Sequence, residues 1–300
     1  MEGLLDRYLK YLEAERGAAR LTLKNYRNDL LGFLGFLKGQ KVASLDRVDR
    51  QVVRQYLAWL VKQGFARSSI SRKLSALRSF YRFLVKENLL ASDPLAAVSL
   101  PKKERRLPTF LGTAQVNALI EAPDTSTAQG QRDRAILELF YASGMRVSEV
   151  ASLDLRNLSL SAREVRVMGK RSKERMVLIG RPAAAALEAY LKEGRLKLLG
   201  KRRGEALFLN RSGGRLSARS MQALVDKYAR KVGIEGRVFP HMLRHTFATH
   251  MLEGGADLRV VQELLGHADL SSTQIYTHVT QSQVRRVYLR AHPRAQKGEE

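Results

Sequence analysis

Apolar residues recur at intervals of about three and four through the first ninety positions, the period of a helix with one buried face. Leu4, Leu5, Tyr8, Leu9 and Leu12 line one side of residues 3–16. Thr22 is placed to cap a second helix that carries Tyr26, Leu30, Phe33, Leu34 and Leu37 and stops at Gly39. A third helix is predicted from Asp49 to Gln63, closed by Gly64. Ser68 or Ser69 opens a fourth, in which Arg72, Lys73, Arg78 and Arg82 lie opposite Leu74, Leu77, Phe80, Phe83 and Leu84. No alternating strand pattern occurs before residue 100, so residues 1–98 read as a four-helix domain.

The periodicity then lapses. Residues 99–108, SLPKKERRLP, are charged and bracketed by prolines, which predicts an extended linker. Beyond it, residues 109–300 read as a second domain with a small β component in a mostly α chain. Thr113 caps its first helix, and a second runs over 132–144 to Gly144. MRVSEVASL begins another, with Arg146 at its N-terminus, where exposed N–H groups favour an anion. Two alternating runs in 164–180 predict a β-hairpin with Lys170 at its bend. A helix over 182–198, a short strand at 206–210, a Gly213-Gly214 turn and a basic helix over 217–233 follow.

Charge narrows the range of partners. The chain of 300 residues has 53 Lys and Arg against 29 Asp and Glu, a net charge of +24. Before Leu107 stand 22 basic and 10 acidic residues, and from there on 31 and 19. A positive charge shared by both domains points to two surfaces on one polyanion, and duplex DNA is the expected partner. There is no cysteine, which excludes disulfides and thiolate zinc sites. No apolar run reaches membrane-spanning length, and the first sixteen residues read as an amphipathic helix rather than a signal peptide, so no membrane association and a cytoplasmic location are expected.

Candidate chemistry gathers in residues 241–278. All six histidines lie between 241 and 292, and His241 and Arg244 share one helix face. The pattern breaks at Gly254-Gly255, restarts behind Asp257, and breaks again at Gly266-His267; a third short helix from about Ser271 carries Tyr276. Tyrosine is a nucleophile, arginine a bidentate phosphate clamp, and histidine a proton carrier, a set suited to phosphoryl transfer without a metal. The H-M-L-R-H spacing of His241 and His245 imitates a zinc helix but lacks its glutamate, and a guanidinium beside a cation is unfavourable. His245, His250 and His278 read as structural. As plain sequence, Lys170 in its turn reads as an exposed side chain.

The H-x-x-R of His241 and Arg244, followed by His267 and Tyr276, resembles the signature of the tyrosine recombinase (phage integrase) family, its Xer branch in particular, and the resemblance covers nearly the whole chain. It implies a helical, SAM-like core-binding domain followed by an α+β catalytic domain with a C-terminal exchange tail. GMRVSE resembles the family's first catalytic arginine, which makes Arg146 that residue and Glu149 its supporting acid. VMGKRSKER resembles the family's G-K-G-x-K-E-R hairpin, which makes Lys170 the catalytic lysine; Arg171 stands where glycine is usual. The resemblance further implies a 3′-phosphotyrosyl intermediate, no cofactor, and a tetramer on DNA. That tetramer is built from this chain alone or with a XerD-like recombinase, and a DNA translocase of the FtsK type acts on it. Other readings are an integrase of a mobile element, a topoisomerase, and a non-catalytic DNA-binding regulator. A pure binder has no need of Tyr276, Lys170 and two arginines together. The short stripe Val284, Val287 and Tyr288 must dock on something, either its own domain or, as the resemblance implies, a neighbouring protomer.

Overall fold

A computed structural model describes residues 1–18, 20–96, 98, 110–168, 174–266 and 281–295. The chain divides into two compact units, Met1–Arg106 and Leu107–Glu300. The predicted linker and the turn holding Lys170 lie outside the described residues, as do His267, Tyr276 and His278.

In the first unit, helices α1 (Glu2–Ala14), α2 (Arg20–Gly39), α3 (Arg50–Lys62) and α4 (Arg67–Lys86) enclose one core. Each contributes the face that its periodicity marks: Leu5, Tyr8 and Leu12; Leu30, Phe33 and Leu37; Val53, Tyr56 and Leu60; Leu74, Leu77 and Phe80. Rings interlock at the centre, with Tyr8 5.2 Å from Phe80 and Phe33 edge-on to Tyr56 at 4.9 Å. Burying each such side chain contributes about 1.5–3 kcal/mol. Asp49 caps α3 by accepting from the Val52 N–H at 2.8 Å. Two other caps differ from expectation. Helix α2 starts at Arg20, so Thr22 lies inside it, and α4 starts at Arg67, ahead of both serines.

The predicted basic face of α4 is also partly internal. Asp29 on α2, 2 % exposed, accepts from Lys73 at 3.1 Å and from Arg72, and Arg78 donates to the Val98 carbonyl. A carboxylate inside this unit would be costly without cations, so Lys73 turns inward to meet it.

The second unit is built around α6 (Ala128–Ser143), buried over almost its whole circumference. Thr127 caps it, and Gly144 ends it with φ +57°. Around it stand α5 (Thr113–Glu121), α7 (Val147–Ser152), α8 (Arg181–Ala189), α9 (Arg195–Leu199), α10 (Ala218–Lys231) and α11 (Pro240–Glu253). Thr113 is the first residue of α5, not its cap; the Gln115 side chain accepts from the Gly112 N–H instead, at 3.0 Å. A π-helical turn, Tyr190–Gly194, joins α8 to α9 inside what the periodicity reads as one helix.

The hairpin forms as predicted from β2 (Glu164–Met168) and β3 (Glu174–Leu178), in the register Val165↔Val177. A two-residue strand that the pattern did not mark, β1 (Leu158–Ser159), completes an antiparallel sheet in the order β1-β2-β3. The strand predicted at 206–210 is absent; Ala206 and Leu209 make only isolated bridges. Arginines take two of its carbonyls instead: Arg195 donates to Ala206 at 2.9 Å, and Arg132 to Leu209 at 2.8 Å. With those acceptors engaged, no long ladder can form.

Helices α12 (Leu258–Leu265) and α13 (Gln281–Ala291) close the unit against α11. Asp257 caps α12, as its position suggests. Within this single chain the tail docks on its own unit, one of the two partners its apolar stripe allows. Tyr288, 1 % exposed, packs with Phe247, Met251, Val260 and Leu264 of its own unit. Polar fasteners hold it there: Tyr288 Oη donates to the Ala142 carbonyl at 2.9 Å, and Arg294 binds Glu138 at 2.5 Å. In a single chain, the uncovered faces of α11 and α12 are presented to α13 at high effective concentration, which favours this docking.

Candidate active site

Four charged side chains converge where α7, β3 and α11 meet the end of α12. Arg146 is the N-cap of α7, and Glu149 stands at the third helical position. That spacing lets the Glu149 carboxylate reach back to the Arg146 N–H at 2.8 Å and to the Arg146 guanidinium at 3.0 Å. The helix N-terminus therefore already holds an anion, supplied by the chain itself. Arg146 remains 39 % exposed at its side chain, while that of Glu149 is 8 % exposed.

Glu149 has a second partner. Arg175 on β3 grips it with both terminal nitrogens, Nη1 on Oε1 and Nη2 on Oε2, each at 3.0 Å. Burial disfavours the charged form of Glu149, but the bonds from Arg175 and from the Arg146 backbone and side chain outweigh it. The carboxyl is held below its ordinary value, and so is ionised at neutral pH.

Arg244 lies one turn into α11 and is 6 % exposed. Its Nη1 donates to the Gly144 carbonyl at 2.6 Å and its Nη2 to the Leu265 carbonyl at 2.8 Å. Two carbonyls at the ends of α6 and α12 thus orient a guanidinium with five N–H donors, and others remain for a ligand. Burial, and then the neighbouring Arg146, pull its pKa down to about 10, with Arg175 acting in the same direction and Glu149 opposing. It stays protonated at neutral pH, and the charge it shares with two other arginines is poised for an anion.

Glycine permits this approach. A Cβ on Gly144 would come within 2.6 Å of Phe247 Cδ1 and 2.8 Å of Leu265 Cδ2, besides having φ +57°.

Of the residues singled out from the sequence, Arg146, Glu149 and Arg244 are brought together. His241 is exposed on the first turn of α11. Lys170, His267 and Tyr276 lie outside the described residues, with Gly266 the last described residue ahead of His267. The structural role read for His250 agrees with its burial and its 2.8 Å bond to the Tyr141 hydroxyl. Arg175 was not singled out. Its signal was present: Arg175 pairs across the sheet with Val167 and shares a strand face with Val177, both buried. An arginine in phase with buried valines needs an internal anion.

Residues 109–283 match the phage integrase family, and residues 5–88 match the phage integrase N-terminal SAM-like domain. The sequence is 46 % identical to tyrosine recombinase XerC of Pelotomaculum thermopropionicum, covering 97 % of this chain and 98 % of the relative. It is 42 % identical to tyrosine recombinase XerD of Staphylococcus epidermidis, covering 98 % of this chain and all of that one. Among solved structures it is similar to XerA recombinase at 30 % identity and a TM-score of 0.50, covering 98 % of this chain and 99 % of that chain. A lambda integrase dimer bound to a COC′ core site shares the fold at 20 % identity and a TM-score of 0.70, covering 93 % and 99 %. With both units matched and such relatives spanning nearly the full length, the chain belongs to the phage integrase family, the tyrosine recombinases that cut and rejoin DNA at specific sites.

Proposed function

We propose that this recombinase acts through Tyr276, Arg146, Arg244, Lys170, His241 and His267, with Glu149 in support. The observation that carries the proposal is the buried, carbonyl-anchored Arg244 grouped with Arg146 around one carboxylate. Tyr276 Oη attacks the scissile phosphorus; the bond to the 5′-oxygen breaks, and a 3′-phosphotyrosyl ester forms. His241 takes the phenolic proton, and Lys170 gives one to the departing 5′-oxygen. Arg146 and Arg244 neutralise the non-bridging oxygens as charge builds in the transition state, and His267 adds a hydrogen bond. The ester conserves the phosphodiester energy, so rejoining to another strand's 5′-hydroxyl needs no nucleotide. Metal-free chemistry follows from the donor set, in which guanidinium groups do what cations do elsewhere.

Relatives carrying XerC and XerD names support a role in resolving chromosome dimers at a dif-like site. In that setting the chain acts in the cytoplasm as a tetramer on duplex DNA, by itself or with a XerD-like partner, under a translocase of the FtsK type. Among the described residues no helix is long and apolar enough to cross a membrane. The test is a nicked suicide substrate that traps the covalent complex. Wild type becomes linked to DNA, and Tyr276→Phe binds equally well but forms no link. Linkage in the Phe variant would refute the assignment.

A further inference from the structure

Arg175 sits at a junction of the site without occupying any of the roles above. All four approaches to the Glu149 carboxylate are taken: Oε1 accepts from Arg146 Nη1 and Arg175 Nη1, and Oε2 from the Arg146 N–H and Arg175 Nη2. A carboxylate offers about four such acceptor positions, so Glu149 is saturated. The Arg175 side chain is 17 % exposed and that of Arg146 is 39 % exposed. Of the two guanidinium groups, then, Arg175 is the packed one and Arg146 the one with room to reach a ligand.

Arg175 also lies against the corner that ends α12. A Cβ on Gly266 would fall 2.9 Å from Arg175 Nε and 3.0 Å from its Cδ. Gly266 has φ +63°, and the preceding carbonyl, Leu265, anchors Arg244. From β3, this side chain thus meets two other segments: the carboxylate that holds Arg146 and the residue before His267.

We infer that Arg175 is a positioning residue for DNA cleavage: by occupying half of the Glu149 carboxylate, it keeps Arg146 tethered yet free to present its remaining donors to the phosphate. Without Arg175, two acceptor positions on a buried carboxylate open three residues from the Arg146 side chain. The Arg146 guanidinium then closes on Glu149 in a bidentate pair, and donors meant for the non-bridging oxygens are lost to it. This inference rests on the reading of Arg146 as a phosphate clamp.

The experiment compares wild type, Arg175→Gln, Glu149→Gln and the double variant in the full-length chain. Single-turnover cleavage of the suicide substrate, DNA affinity and thermal melting are measured for each. Arg175→Gln is expected to cleave about 10- to 100-fold more slowly, the usual effect of losing a residue that orients a catalytic group. Its DNA affinity stays within about threefold of wild type, because Arg175 points inward and neutralises no phosphate. In the double variant the carboxylate that would capture Arg146 is gone, so it cleaves no more slowly than Glu149→Gln alone. Three results overturn the inference: wild-type cleavage by Arg175→Gln, rate losses that multiply in the double variant, or cleavage that falls only in step with affinity. If Arg175→Gln does not fold, Arg175→Lys decides. It keeps the charge and loses the fork, so slow cleavage with intact binding supports the inference, and wild-type cleavage overturns it. A wild-type protein that forms no covalent complex would instead refute the proposed function.

Discussion

Replacing Arg294 with Ala tests how the tail is fixed to the second unit. Arg294 follows α13 and donates through Nη2 to Glu138 Oε1 at 2.5 Å and through Nη1 to Asn117 at 2.9 Å. The side chains are 13 % and 2 % exposed, so the substitution strands a buried carboxylate on α6. Breaking a buried pair from one side typically costs about 3–5 kcal/mol. Burial already pushes the Glu138 carboxyl up, and Arg294 only partly pulls it back. The stranded carboxyl can therefore escape by taking a proton, which puts the expected loss near the lower end, about 3 kcal/mol at pH 7. The sign of the pH dependence follows. A carboxyl whose folded pKa lies above its unfolded value binds more protons when folded between those two values. Lowering the pH through that window stabilises the variant relative to wild type, by up to about 1.4 kcal/mol per unit. Urea denaturation measures it, with a control inside the same chain. The only tryptophan, Trp59, is in the first unit, so its fluorescence transition stays in place while the far-ultraviolet dichroism transition of the second unit shifts. Adding Glu138→Gln removes the stranded charge and recovers most of the loss. A cost below about 1 kcal/mol, flat from pH 7 to 5, or no recovery with Glu138→Gln, would show that the pair does not hold the tail.

Two further outcomes are expected. Arg244→Lys keeps the charge but cannot bridge the Gly144 and Leu265 carbonyls in a plane while facing a phosphate, so single-turnover cleavage should fall by about 100- to 1000-fold with little change in DNA affinity; parallel losses in both would reduce Arg244 to a phosphate anchor. His292 is fully buried, its pKa pushed down to about 4 chiefly by burial, so it is neutral when folded; the second unit should lose about 3 kcal/mol as the pH falls from about 6.5 to 4, and His292→Asn should flatten that limb. Equal acid limbs in the two proteins would assign the loss to other groups.

Elements whose signal is local were legible in the chain. The four helices of the first unit followed from the 3.6-residue spacing of Leu5 to Leu84, and the hairpin from the alternation of Val165, Val167 and Val177. Gly144 and Gly266 marked ends because only glycine readily takes the positive φ found there. The partnership of Arg146 and Glu149 was implied by the family resemblance alone, and the structure realises it as a capping contact within one helical turn. The short strand predicted at 206–210 failed for a reason distant in sequence, because Arg195 and Arg132 take the Ala206 and Leu209 carbonyls that a ladder would need. The basic face of α4 was overcounted for a similar reason, since Asp29, more than forty residues away, draws Lys73 and Arg72 to itself.

What the sequence determined by itself was the family, the helical framework and the residue types able to do the chemistry, because spacing within a helix or strand and the acid–base character of a side chain are properties of short stretches. Which charges meet was decided only by tertiary structure. Arg244 reaches carbonyls 100 and 21 residues away, Arg175 meets Glu149 across 26 residues, and Arg294 meets Glu138 across 156. The same holds for α13, whose apolar stripe announced that it must be covered but not by what. Hydrophobic burial is non-directional, so the stripe alone named no partner. The choice of its own unit was made by polar contacts of fixed geometry, Tyr288 on Ala142 and Arg294 on Glu138, which exist only once α6 and α13 lie side by side.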